Sequence, residues 1–213
     1  VINDPIWKGR PGLSEVHRSD LLRWKLLRNE GGVWSDFDIL YNSPIEKLIP
    51  ESGWDVGICP CTNNKGLTTY YSIGLMTSAK TKYAGDFYTF LRDIAVKKVK
   101  GNKYQSAGNE SLAKAIRRFD GNVRYWEIPQ DSVYPRYSTH VRYLFTSSYP
   151  RTDKNIGVHW YAGNQLTQSY LPKVTEDTIG RYGKRSVMFR EMKEVWDEIQ
   201  RSNAVHTPAT ASE

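Results

Sequence analysis

Cysteine is scarce in this chain: Cys59 and Cys61 are the only two, and they flank Pro60. A C-x-C spacing is too tight for an ordinary disulfide, and no further Cys or His partners stand nearby to complete a zinc site. The expectation is a pair of reduced thiols in a loop and a reducing, cytoplasmic compartment, the host's if the chain is viral. Long apolar runs are missing too. No stretch reaches the roughly 18 consecutive apolar residues that a bilayer-spanning helix needs, and the first residues lack the pattern of a signal peptide. No transmembrane segment is therefore expected. Also absent are a helix-turn-helix signature, a zinc finger, an RNP-like motif and any internal repeat. A net charge of +7 alone would point to nucleic acid. The basic residues are spread along the chain, however, with one modest cluster at Lys97, Lys98, Lys100 and Lys103. Nucleic acid is not the expected partner. A basic surface serves anionic sugar nucleotides or an acidic membrane equally well.

Aromatics are plentiful, with seven Trp and fourteen Tyr. Their faces suit the apolar faces of sugar rings, although most are expected in the core. A length of 213 residues can bury one sizeable core. Helical periodicity marks Leu13–Glu30, Lys82–Val99, Asn109–Phe119 and Met188–Arg201. Strand patterns mark 33–37, 54–59, 67–76, 123–128, 141–145 and 156–160. This interleaving predicts an α/β domain, a mixed central β-sheet flanked by helices. It assigns residues 1–201 to one catalytic domain and 202–213 to a tail or linker.

The chemistry concentrates in GGVWSDFDIL, from Gly31 to Leu40. Asp36 and Asp38 stand one residue apart at the end of a short apolar segment. On a buried strand, i and i+2 side chains share a face, so the two carboxylates would converge on one hard cation. Oxygen ligation suits manganese (Mn2+) or magnesium (Mg2+), which keep positions open for water and phosphate. Upstream, Gly31-Gly32 stops the helix that carries Ser19, Asp20 and Arg23. Asp20 and Arg23 fall three apart on one helical face. They make either an ion pair on a solvated surface or an acceptor beside a forked donor, the combination that orients sugar hydroxyls.

The run SDLLRWKLLRNEGGVWSDFD resembles the S-D-x-x-R … G-G-x-[YW]-x-D-x-D pattern of DXD-containing glycosyltransferases of the GT-A fold. Within these it is most similar to the glycosyltransferase 32 type and its bacterial, phage and large-DNA-virus relatives. The likeness covers about 20 residues. It implies a GT-A-like fold and a nucleotide-sugar donor, a UDP-sugar first of all. It further implies a glycan or glycoprotein acceptor and transfer with retention of anomeric configuration. Residue by residue it implies that Asp36 and Asp38 hold the metal against the donor diphosphate, and that Ser19, Asp20 and Arg23 line the donor sugar. In that family several dozen residues precede the acidic pair, whereas 35 precede Asp36 here. The N-terminal part is therefore expected to be incomplete.

Two later segments complete the expected site. In YQSAGNES, from Tyr104, Asn109 reads as a helix N-cap with Ser106 and Gly108 shaping the turn. The resemblance places this segment, and Asn109 with it, beside donor and acceptor, although Asn109-Glu110 departs from the family's usual residues there. Glu110 is the one candidate for the catalytic base that an inverting transfer would need. An acid there is equally at home in a helix's first turn. In IGVHWYAG, from Ile156, a histidine beside an apolar strand is commonly a satisfied core residue. The resemblance adds His159 to the metal ligands and sets Trp160 and Tyr161 over the sugar. Gly163 is expected to let backbone approach a ligand. Two other classes remain open: a metal-dependent phosphotransferase or nuclease on the same acidic pair, and a non-catalytic carbohydrate- or nucleic-acid-binding module.

Overall fold

The computed structural model of the protein describes residues 12–63, 65–99, 105–135, 140–148 and 150–206, the last four of these by backbone alone. Lys100, Lys103 and Tyr104, and residues 207–213 of the expected tail, lie outside the described residues. The fold is mixed α/β, with a mixed sheet flanked by helices. It resolves into two compact units. The first takes its described residues from Val1–Asp36 and Pro50–Pro129, the second from Phe37–Ile49 and Gln130–Glu213.

In the first unit, helix α1 (Glu15–Asn29) starts at Ser14, whose Oγ accepts from the His17 N–H. It stops where Gly31 and Gly32 take φ of +70° and +81°, a conformation cheap only for glycine. Strand β1 (Gly32–Ser35) follows. The sheet order is β1, then β4 (Thr68–Ser78), β3 (Val56–Thr62) and β5 (Tyr125–Glu127). The β1–β4 and β3–β4 pairs are antiparallel and β3–β5 is parallel. Helices α2 (Lys82–Lys98) and α3 (Asn109–Arg118) complete this unit with α1. Its core joins Leu21, Trp24 and Leu27 of α1 to Phe87, Tyr88 and Leu91 of α2, with Val56, Ile58 and Met76 of the sheet. Trp24 stacks on Tyr88, and Phe87 meets Tyr88, Phe119 and Tyr125 edge-on.

Buried Asp55 ties the sheet to α2 and β5. It accepts from Thr81 Oγ1 at 2.7 Å and from the Arg124 backbone N–H at 3.0 Å, with two guanidinium N–H groups at 3.1 Å each. The Arg124 side-chain bonds, joined by those of Thr81 and the Arg124 backbone, outweigh burial and hold this carboxyl down at about 2.

Three expectations fail in this unit. Strand β1 is not buried: it is the sheet edge, Val33 is exposed, and Phe37 just beyond it is 90 % exposed. Cys59 and Cys61 are buried and not joined in a disulfide, but they lie in β3 rather than in a loop. Asn109 is not the N-cap of α3. Gly108 holds that position, and Asn109 is the first helical residue.

In the second unit, β2 (Ile39–Tyr41) pairs antiparallel with β6 (Gly157–His159), setting Ile39 opposite His159 and Tyr41 opposite Gly157. A Cβ on Gly157 would stand 2.7 Å from the Leu40 carbonyl oxygen, so only glycine fits. Helices α4 (Val141–Thr146), α5 (Gln165–Tyr170), α6 (Glu176–Tyr182) and α7 (Val187–His206) make up the rest. Residues 141–145, expected as a strand, form α4. Val141, Leu144 and Phe145 recur at helical spacing and all are buried with Val158 and Met188. The expected tail begins late, because α7 runs on to His206. Within this unit Glu191 is fully buried and accepts from Arg151, Arg190 and Asn42.

Candidate functional site

Helix α1 presents Asp20 and Arg23 inward. Both are about 97 % buried, and Arg23 Nη1 donates to Asp20 Oδ1 at 3.2 Å. The solvated-surface ion pair is thereby excluded. Trp24, on the same helix, donates through Nε1 to the Ala107 carbonyl at 2.9 Å and so draws the 105–108 turn onto α1. This brings Gly108 against Asp20: a Cβ there would lie 3.0 Å from Asp20 Oδ2 and 2.7 Å from Ile73 Cδ1. Ser111 Oγ donates to the Ser106 carbonyl and braces the turn. Ser106 Oγ and Asn109 Oδ1 are buried without hydrogen-bond partners among the described residues. Ser19 is half-buried on α1 beside Asp20. Glu110 sits in the first turn of α3 with Lys98 Nζ 3.6 Å from its carboxylate, the setting of a helix-terminus acid.

Burial lifts the Asp20 carboxyl from 3.8 to about 6, with Arg23 pulling down, Asp36 pushing up and His17 pulling down. For a carboxyl raised on folding, the folded state holds the proton more tightly than the unfolded chain. The stabilisation is complete below pH about 4 and is lost as pH rises through about 6, a change of roughly 3 kcal/mol. Replacing Asp20 with Asn is expected to flatten the pH dependence of urea unfolding over that interval. An unchanged slope would show that Asp20 titrates normally.

Asp36 closes the first unit. Its backbone N–H donates to the Gly74 carbonyl at 2.7 Å, extending the β1–β4 pairing by one residue. Its Oδ1 accepts from Arg23 Nη2 at 2.9 Å and from Trp34 Nε1 at 2.8 Å. Asp36 and Asp38 are thus not successive residues of one strand face, since β1 ends at Ser35 and a turn carries Phe37 and Asp38. The two carboxylates stand two residues apart in the chain, one in each unit, with no strand alternation between them.

Asp38 belongs to the second unit and is held there by the segment after β6. His159 Nε2 lies 3.1 Å from its Oδ1, and the Ala162 N–H donates to its Oδ2 at 2.8 Å. The Trp160 N–H donates to its carbonyl at 3.0 Å. Burial raises this carboxyl, but the hydrogen bonds from His159 and from the Ala162 N–H outweigh it and leave it below the usual range. The Tyr161 N–H donates to His159 Nδ1 at 3.2 Å. With Nδ1 accepting, a neutral imidazole carries its proton on Nε2 and directs it at Asp38. His159 then has no lone pair for a metal; ligation through Nε2 requires the proton to move to Nδ1 and the Tyr161 bond to break.

That clasp depends on Tyr161, whose φ of +54° is rare for a residue with a side chain and costs roughly 1–2 kcal/mol. The turn it makes sets the Tyr161 N–H on His159 Nδ1 and, one residue on, the Ala162 N–H on Asp38 Oδ2. Gly163, expected to be the point of close backbone approach, has open space where a Cβ would be. Trp160 packs against the Val141–Met188 cluster, and the Tyr161 ring stands edge-on to His159 with centroids 4.3 Å apart.

The fit to a divalent cation rests on the carboxylates. Asp36 is 27 % exposed and its Oδ1 alone is engaged, and Asp38 is buried, ionised and oriented. Each carboxylate taken by itself offers oxygen donors of the kind that Mg2+ or Mn2+ accepts. Sequence reasoning missed Trp34 and Ala162. The indole two residues before Asp36 was a legible signal, whereas a backbone donor on a left-handed turn was not.

Among the described residues, no helix is long and apolar enough to cross a membrane. No curated protein and no solved structure matches the chain. Residues 4–105, which carry Asp20, Arg23, Asp36 and Asp38, match the family model described as capsular polysaccharide synthesis protein. Over that span the chain is similar to a family that builds glycans.

Proposed function

We propose that the protein is a metal-dependent glycosyltransferase that moves a sugar from a nucleotide-sugar donor, a UDP-sugar first of all, to a hydroxyl of a glycan or glycoconjugate. The observation that carries this reading is the acidic pair. Asp36 and Asp38 are each fixed by N–H donors, and Asp36 sits in a span similar to capsular polysaccharide synthesis proteins. Bound by these carboxylates, a divalent cation would neutralise charge on the departing nucleoside diphosphate. His159 would join the ligands only with its proton on Nδ1; as it stands it orients Asp38. Asp20 Oδ2, facing Gly108, would meet a sugar hydroxyl. With its carboxyl near pH 6 that oxygen accepts or donates a hydrogen bond according to its protonation. Asn109 Oδ1, buried without a partner among the described residues, is a second acceptor in the same unit. No proton transfer is assigned to Glu110, which has Lys98 beside it.

The test is release of UDP from a panel of UDP-sugars in Mn2+, with a mixed glycan acceptor. The expected result is release from at least one donor that stops with chelator. Release indifferent to chelator would remove the metal, and salt-sensitive oligonucleotide binding with no UDP released would favour a binding module.

A further inference from the structure

Arg23 is 3 % exposed and has no free fork to offer a ligand. Nη1 is committed to Asp20 at 3.2 Å and Nη2 to Asp36 at 2.9 Å, while Nε is buried without a partner among the described residues. Its guanidinium lies over the Trp34 ring at 4.8 Å and the Trp24 ring at 5.5 Å, so two indole faces fix its plane. Trp34 in turn donates at 2.8 Å to the same Asp36 oxygen that Arg23 reaches. Two N–H donors converging on Oδ1 occupy its lone pairs, and Oδ2 has no hydrogen-bond partner among the described residues.

We propose that Arg23 and Trp34 are positioning residues for Asp36. Together they pin one carboxylate oxygen so that the other meets the cation, and Arg23 is withdrawn from contact with the donor sugar. This rests on the reading of Asp36 as a cation ligand. Loss of a group that hydrogen-bonds a metal ligand typically costs about ten- to a hundredfold in metal affinity or activity. Trp34 is the informative position. Phe in its place keeps an aromatic face for Arg23 and removes the N–H together with the five-membered ring that carries it.

The test is a double-mutant cycle in the full chain, read by calorimetric titration with MnCl2. Trp34→Phe is expected to weaken Mn2+ binding about tenfold, and Asp36→Asn to lose most of it. Trp34→Phe in the Asp36→Asn background should cost nothing further, because Trp34 acts through that carboxylate. Arg23→Lys keeps the charge but loses the fork, and is expected to weaken UDP and the complete UDP-sugar by the same factor. Three results overturn the proposal. In the first, Trp34→Phe binds Mn2+ as the wild type does while Asp36→Asn does not. In the second, Trp34→Phe is equally costly in both backgrounds. In the third, Arg23→Lys weakens the UDP-sugar alone, which would return Arg23 to the sugar. A wild-type chain that ignores Mn2+ fails differently: it refutes the cation reading, and this proposal falls with it.

Discussion

Replacing Asp38 with Ala is expected to abolish Mn2+-dependent donor binding, and Asp36→Ala to weaken it by roughly a hundredfold, about 2.7 kcal/mol. The difference follows from how each carboxylate is held. Asp38 is buried and ionised, clasped by His159 and the Ala162 N–H, so its geometry is set before any ligand arrives. Asp36 is partly exposed and pinned through one oxygen only. Removing Asp38 also leaves the Ala162 N–H and the His159 Nε2–H without their acceptor, at a cost of about 1–3 kcal/mol in stability. Asp38→Asn, which preserves the shape, separates the two effects. Its NH2 must face either the His159 Nε2–H or the Ala162 N–H, so it should lose metal-dependent binding while keeping one of the two accepted bonds and losing less stability than Asp38→Ala. Donor affinity unchanged in all three variants would contradict the assignment.

The largest effect on stability is expected at Glu191, in the second unit. Its carboxylate is fully buried and takes hydrogen bonds from Arg151, Arg190 and Asn42, with Asn42 Nδ2 at 2.5 Å and Arg190 Nη2 at 2.9 Å. Burial raises this carboxyl, but the bonds from Arg151, Asn42 and Arg190 outweigh it and hold it below the usual range. Glu191→Ala strands those donors beside an empty buried volume. Breaking a buried pair from one side costs about 3–5 kcal/mol, and the partial exposure of Arg151 and Arg190 favours the lower end. In a chain of this size that is a fall of roughly 6–12 °C in Tm. The exposed Asp177–Arg181 pair on α6 is the control, and its loss should cost under about 0.5 kcal/mol. Thermal unfolding of both variants decides the matter; equal, small shifts would mean that the Glu191 network contributes no more than a surface pair.

The elements of the first unit were legible wherever local chemistry and tertiary packing agree. Helix α1 carries its own stop signal in Gly31-Gly32, and α2 and α3 carry clear apolar faces, so their limits fall within a residue or two of expectation. Val141–Phe145 was misread because Val, Tyr and Phe favour strands in isolation. Burial of Val141, Leu144 and Phe145 together overrides that preference. Position β1 was misread for a related reason: an apolar run looks the same whether a strand lies inside a sheet or at its edge.

The site was legible in its residue types and not in their engagements. Asp20 and Arg23 announce a pair by their spacing, but its depth depends on Trp24, Trp34 and the Gly108 turn. That depth turns Arg23 toward Asp36. His159 was recognisable as a ring beside an apolar strand. Its tautomer is set by the Tyr161 N–H on a left-handed residue, which no spacing rule signals.

Calorimetric titration of the wild-type chain with UDP- and GDP-sugars, with Mn2+ and again with excess chelator, tests the central claim most directly. The account predicts binding of a nucleotide sugar that appears with Mn2+ and vanishes with chelator. Binding of equal strength in both conditions, or binding of no nucleotide sugar in either, would contradict it.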